Sequence, residues 1–155
     1  MYKAMLDQPV PDFSAVSTGG ESRLSDRRGR KVVLYFYPKA NTPGCTRESQ
    51  DFRDLAAEFE RAGATIVGVS RDGLKAQANF KARHALPFEL LADTDEAVCR
   101  LFDVIKEKNM YGRKVLGIVR STFLIDADGV LRQEWRNVRV PGHAAAVLEA
   151  VQAME

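Results

Sequence analysis

The sequence predicts an α/β fold: a central mixed β-sheet flanked by helices, preceded by an N-terminal β-hairpin. Three observations predict it. Lys31 to Tyr37 is a near-continuous run of β-branched and aromatic residues, as in a strand buried on both faces. Apolar residues then recur at helical spacing between Pro43 and Ala62, and Thr65 to Ser70 is a second buried strand, so the three segments form a βαβ unit. Finally, Ser121 to Ile125 and Val130 to Trp135 flank the turn sequence Asp126-Ala127-Asp128-Gly129, which predicts an antiparallel hairpin near the end of the chain.

The remaining elements follow in order. Phe13 to Val16 can pair with Glu21 to Leu24 across Thr18-Gly19-Gly20. Pro38 ends the Lys31 strand, and in the helix after it Phe52, Leu55, Ala56 and Phe59 share one face. Gly63 suits the residue just past that helix. A second helix is expected over Leu74 to His84, stopping before Pro87, and a short strand over Phe88 to Leu91. Asp93, Thr94 and Asp95 offer N-caps for a helix running to Phe102. Residues 104–117 show no clear period and read as a loop. The last helix is expected over Pro141 to Met154, with Pro141 near its first position. The order β-β-β-α-β-α-β-α-β-β-α suggests a mixed sheet flanked by helices, and an antiparallel hairpin near the C-terminus, after a βαβ unit, is what a thioredoxin-like sheet needs.

Composition excludes several classes. The chain has 155 residues, which reads as one domain spanning 1–155. At that length it buries enough surface to fold without staples. Its two cysteines, Cys45 and Cys99, make neither a disulfide framework nor a zinc site. A net charge of +2 gives no reason to expect nucleic acid. The cluster Arg23, Arg27, Arg28, Arg30 and Lys31 reads as a solvated turn beside a strand. No apolar run approaches the ~18 residues of a membrane helix. Met1 to Gln8 has no apolar signal region, so a cytoplasmic location with reduced thiols is expected. No nucleotide-binding glycine motif or calcium loop is present, and no cofactor or metal is expected. His84 and His143 have no partner at a motif spacing and read as surface or loop residues.

Tyr37 to Glu48 is the chemically informative segment. Thr42 is placed to be the N-cap of the long helix, with Pro43 at its first position and Cys45 at its third. A thiol there meets the positive end of the helix dipole and unpaired N–H donors, and both favour the thiolate. Cys45 also lies on the apolar stripe that continues to Phe52, so its side chain should tilt toward the core. The bland alternative is a small buried hydrophobe that happens to be cysteine. Thr42-Pro43-Gly44-Cys45 has the register of a C-x-x-C motif with its first cysteine replaced by threonine. That removes the dithiol and leaves one activated thiol beside a hydroxyl, a combination suited to attacking an O–O bond.

At these residues the chain resembles a peroxiredoxin. Pro38-x3-Thr42-x2-Cys45 matches that family's active-site motif at every position. The wider string Phe36-Tyr37-Pro38-Lys39, Asn41 to Thr46 and Glu48 resembles the peroxiredoxin Q, or bacterioferritin comigratory protein, group. Weaker similarity continues through Pro11-Asp12-Phe13, Leu24-Ser25-Asp26, Val69 to Asp72, Leu90 to Asp93 and Arg120 to Asp126. The resemblance implies a thiol-dependent reductase of hydrogen peroxide and organic hydroperoxides. Cys45 would be the peroxidatic cysteine and form a sulfenic acid. Thr42 would hydrogen-bond the peroxide, and Pro38 would shield the thiol from water. Arg120 would stabilise the thiolate and the leaving oxygen, with Glu48 orienting it. On residues alone, Arg120 also reads as a strand-end charge and Glu48 as a first-turn acid.

One departure from the group bears on mechanism. The position five residues after Cys45, where many members carry a resolving cysteine, is Gln50, and the Leu74 to His84 helix has none. Cys99 is then either core filler or a resolving cysteine that needs large local unfolding to reach Cys45. The first reading makes this a one-cysteine enzyme, reduced by thioredoxin, glutaredoxin or a low-molecular-weight thiol. A monomer is expected, with no nucleic-acid or membrane partner. Two other functions fit the same fold: a general thiol oxidoreductase, and a non-enzymatic redox sensor or binding module.

Overall fold

The computed structural model describes residues 3–154. Met1 and Tyr2, part of the segment read for a signal, lie outside the described residues. The N-terminal hairpin is β1 (Ser14–Ser17) and β2 (Gly20–Arg23), followed by a 3-10 turn (Leu24–Arg27). Then come β3 (Lys31–Phe36), α1 (Pro43–Asp54), α2 (Ala56–Arg61), β4 (Ala64–Ser70), α3 (Leu74–Arg83) and β5 (Glu89–Ala92). The chain continues through α4 (Ala97–Leu101), β6 (Ile105–Met110), β7 (Arg113–Ile118), β8 (Ser121–Ile125), β9 (Leu131–Arg136) and α5 (His143–Ala153). A seven-stranded mixed sheet has the order β2-β1-β5-β4-β3-β8-β9, and β6 and β7 form a separate two-stranded sheet.

The apolar run of β3 makes it the centre of the main sheet. It lies parallel to β4 and antiparallel to β8. Its alternation feeds two cores. Val33 and Tyr35, with Tyr37 just beyond the strand, face Phe52, Phe59 and Val147. Val32, Leu34 and Phe36 face Phe102, Phe123 and Val98 on the opposite side. Each such fully buried side chain contributes about 1.5–3 kcal/mol. Lys31 begins the strand, and its ammonium donates to the carbonyls of Ala62, Val151 and Met154. One cation thereby satisfies chain ends that follow α2 and α5. The other cations of that cluster also find protein partners; Arg30, for instance, reaches Thr65 and Glu60.

Register decides where the site can be. Phe36 pairs with Val69 on β4 and with Ser121 on β8, and Ser70 pairs with Ala92 on β5. The C-terminal ends of β3, β4 and β5 therefore share one sheet edge with the start of β8. In open α/β sheets that edge is where ligands bind.

Four expectations are corrected. The stretch read as a loop, 104–117, contains the β6–β7 hairpin, closed by Tyr111-Gly112 with φ of 53° and 79°. Two successive positive φ values are what a two-residue type I′ turn requires. The helix expected from Pro43 to Ala62 breaks at Leu55 (φ −103°, ψ 4°) into α1 and α2. The apolar period continues across the break because Phe52 and Phe59 are both buried. The helix after Asp93 is only Ala97–Leu101, yet the predicted caps act: Asp93 accepts from the Val98 and Cys99 N–H groups, and Asp95 from that of Ala97. The last helix starts at His143 after Gly142, so Pro141 precedes it rather than opening it. Among the described residues, no helix is long and apolar enough to cross a membrane.

Candidate active site

The chain leaves β3 at Tyr37, turns through Pro38 to Thr42, and enters α1 at Pro43. Several bonds hold this loop. The Ala40 N–H donates to Asp72 Oδ2 at 2.8 Å, and the Ser70 hydroxyl donates to the same oxygen at 2.6 Å. The Tyr37 hydroxyl donates to Gln77 at 2.6 Å. Asn41 takes a left-handed conformation (φ 64°), which asparagine tolerates better than most residues. Below the loop, Tyr35 stacks on Phe52 at 4.7 Å between ring centroids and shares a 2.8 Å hydrogen bond with Ser49. These contacts fix the first turns of α1 on the sheet.

Thr42 is the N-cap residue, Pro43 is at the first helical position and Cys45 at the third, as predicted. The Thr42 hydroxyl does not cap the helix. It donates to the Lys39 carbonyl at 2.7 Å, which leaves its lone pairs able to accept from a ligand. The first helical bond runs from the Thr46 N–H to the Thr42 carbonyl, so the N–H groups ahead of it are open donors. Cys45 is 1% exposed, so it points inward as expected. Pro38 is half-buried in the same loop.

Arg120 arrives from the far side of the sequence. It directly precedes β8, whose Ser121 pairs with Phe36, so the register carries its guanidinium to the end of β3. One Nη donates to Cys45 Sγ at 3.4 Å and the other to Glu48 Oε1 at 2.7 Å. The Arg120 side chain is 16% exposed and that of Glu48 is 1% exposed. Burial pushes the Glu48 carboxyl up to about 7, and the Arg120 charge works against that rise. Burial also opposes the charge on Arg120, but Glu48 and Cys45 outweigh it and hold the guanidinium above its ordinary value. Glu48 Oε2 is buried without a hydrogen-bond partner among the described residues. The structure thus brings Cys45, Thr42, Pro38, Arg120 and Glu48 to one sheet edge.

Cys99 is not among them. It belongs to the core on one side of the sheet, and Cys45 belongs to the core on the other. Burial, reinforced by the nearby Asp93 carboxylate, pushes the Cys99 thiol far up, so it stays protonated. Both cysteines are free.

Sequence reasoning passed over three contributors. Gly44 lies against Arg120: a Cβ there would come within 3.1 Å of Nη2. Asp72 holds the loop, and the acid two residues past a buried strand was the available signal. His143, read as a surface residue, is buried, and its Nε2 hydrogen-bonds the Thr122 hydroxyl at 2.7 Å. Phe52 and Trp135 meet its ring edge-to-face, and burial, aided by Arg120, lowers its pKa to about 4.

With this geometry in place, comparison with known proteins decides the lineage. Residues 6–134 match the AhpC/TSA family. The chain belongs to the AhpC/TSA family. It is 52% identical over 156 residues to peroxiredoxin Bcp of Xanthomonas campestris pv. campestris, a match covering 99% of this chain and 98% of the relative. The structure of X. campestris peroxiredoxin Q superposes with a TM-score of 0.90 at 52% identity, covering 97% of each chain. The PrxQ of Xylella fastidiosa gives 0.92 at 40% identity, covering 99% of this chain and 98% of that one. A further X. campestris structure, at 51% identity, TM-score 0.90 and coverage of 97% and 98%, concerns that protein's alkyl peroxide reduction activity. The chain is thus a peroxiredoxin of the Q group with the thioredoxin-like fold, and an oxidoreductase of the peroxidase type.

Proposed function

We propose that this peroxidase reduces hydrogen peroxide and alkyl hydroperoxides through Cys45 alone, with an external thiol completing the cycle. The observation that carries this reading is the Arg120 guanidinium donating at once to Cys45 Sγ and Glu48 Oε1 at the start of α1. A cation held in place by a buried carboxylate favours the thiolate over the thiol.

The thiolate sulfur attacks the terminal oxygen of HO–OR. The S–O bond forms as the O–O bond breaks, and the leaving RO⁻ takes a proton and departs as ROH. Cys45 is left as a sulfenic acid. Arg120 faces the charge that moves from sulfur to the leaving oxygen. Thr42 accepts from the peroxide O–H, the open first-turn N–H groups donate to its oxygens, and Pro38 screens water. A reductant thiolate next attacks the sulfenic sulfur, expelling hydroxide and forming a mixed disulfide. A second reductant thiol releases Cys45 as thiolate. Thioredoxin, glutaredoxin and low-molecular-weight thiols all supply this chemistry, in a reducing compartment such as the cytoplasm.

Placement of Cys99 in the opposite core supports external resolution, since the main sheet separates the two thiols. The test is peroxide turnover with a thiol reductant. Cys45→Ser abolishes it and Cys99→Ser keeps most of it. Turnover by Cys45→Ser would overturn the reading. Insulin-disulfide reduction separates it from a general oxidoreductase, and repeated rather than stoichiometric peroxide consumption separates it from a sensor.

A further inference from the structure

The β6–β7 hairpin lies outside the main sheet, and no role was expected of it. It leads directly into Arg120, because β7 ends at Ile118. Lys108, on β6, does not point its ammonium into solvent. Its side chain is half-buried, and Nζ donates to the Ile118 carbonyl, two residues before Arg120. The lysine stem crosses the buried Gly117: a Cβ there would come 3.2 Å from Cδ and 3.4 Å from Cε. Gly117 is therefore the floor over which Lys108 reaches across the ladder, in which its own direct partner is Val115.

The segment that Lys108 holds is the one that delivers Arg120. The Val119 N–H donates to the Val104 carbonyl at 2.8 Å, the Ser121 hydroxyl to the Val119 carbonyl at 2.8 Å, and the Val138 N–H to the Arg120 carbonyl at 2.9 Å. The Ile118 carbonyl adds the Lys108 ammonium to this set. The charged and titratable groups acting on that ammonium are Arg120 ahead of β8, Arg71 after β4 and Cys45 on α1. Glu48 lies against Arg120. Burial first, then the two arginines, lower the Lys108 pKa, while Cys45 raises it.

We infer that Lys108 is a positioning residue of the peroxidatic site, anchoring through the Ile118 carbonyl the strand entry that aims Arg120 at Cys45. This rests on the reading of Cys45 as the peroxidatic thiol. A surface lysine on a solvated hairpin would not hold that carbonyl.

Lys108→Met keeps the stem and removes the donor and the charge. The expected result is a roughly tenfold slower reaction with peroxide. Lys108→Arg, which restores charge and donors, recovers part of that rate. Gly117→Ala leaves every charge in place and lifts the lysine stem, and it slows the reaction by a smaller factor. Circular dichroism and thermal unfolding confirm that each variant is folded. A peroxide rate at the wild-type value in folded Lys108→Met would overturn the inference. So would equal losses in Lys108→Met and Lys108→Arg. Cys45→Ser, run alongside, keeps the two claims apart. If it is inactive while Lys108→Met behaves as wild type, only the role of Lys108 fails; if it retains turnover, the reading of Cys45 fails.

Discussion

Replacing Arg120 by methionine is the sharpest perturbation of the site. Met keeps much of the stem's packing and removes both Nη bonds. The bond to Cys45 is charge-assisted, a class that contributes about 1.5–3 kcal/mol. At 1.36 kcal/mol per factor of ten in rate that is about one to two powers of ten. The Arg120 side chain is 16% exposed, so solvent screening removes little of it. The reaction of Cys45 with peroxide should therefore slow by about ten- to a hundredfold. A second cost concerns Glu48. Stripping one partner from a buried ion pair commonly destabilises by about 3–5 kcal/mol. Here the carboxyl already lies at about 7, so it can take up a proton instead, and the loss of stability should be smaller and greatest at alkaline pH. The assay is the stopped-flow rate of peroxide reduction, with Cys99→Ser as background. A rate unchanged in folded Arg120→Met would refute the claim that this guanidinium assists the Cys45 thiol.

Three further predictions follow from the same geometry. Gly44→Ala places a Cβ about 3.1 Å from Arg120 Nη2 while improving helix propensity by about 1 kcal/mol, so thermal stability should hold or rise as the peroxide rate falls several-fold; equal changes in both would contradict it. Asp72→Ala removes the acceptor for the Ala40 N–H and the Ser70 hydroxyl, and denaturant unfolding should show a loss of about 1–3 kcal/mol with slower peroxide reduction. Glu48 is raised from 4.5 to about 7, so the native state holds an extra proton between those values. Its contribution to stability is therefore greatest below 4.5, declines as pH rises through that window and is flat above it; Glu48→Gln should lack this decline in unfolding measured across pH.

How much of this was legible in the sequence depended on how local the cause was. The run Val32 to Phe36 declared itself because a central strand is apolar on both faces. Thr42, Pro43 and Cys45 were equally plain, since a helix start is fixed by neighbouring residues. The β6–β7 hairpin was not. It is detached from the main sheet, Lys106, Glu107, Lys108 and Lys114 interrupt any alternation, and its turn puts Tyr111, an uncommon choice, at positive φ. The break at Leu55 was hidden because the chain re-buries Phe59 on the same face. Arg120 could be linked to Cys45 only by resemblance, for the two meet through the β3–β8 register across 75 positions. His143 was misjudged for a related reason: its partner Thr122 lies 21 positions away on another element.

The most direct test of the central claim is mass spectrometry of protein treated with one equivalent of hydroperoxide and a sulfenic-acid trap. The account predicts a trapped sulfenic acid on Cys45, an unmodified Cys99 and a free thiol restored by added reductant. A disulfide between Cys45 and Cys99, or modification confined to Cys99, would contradict it.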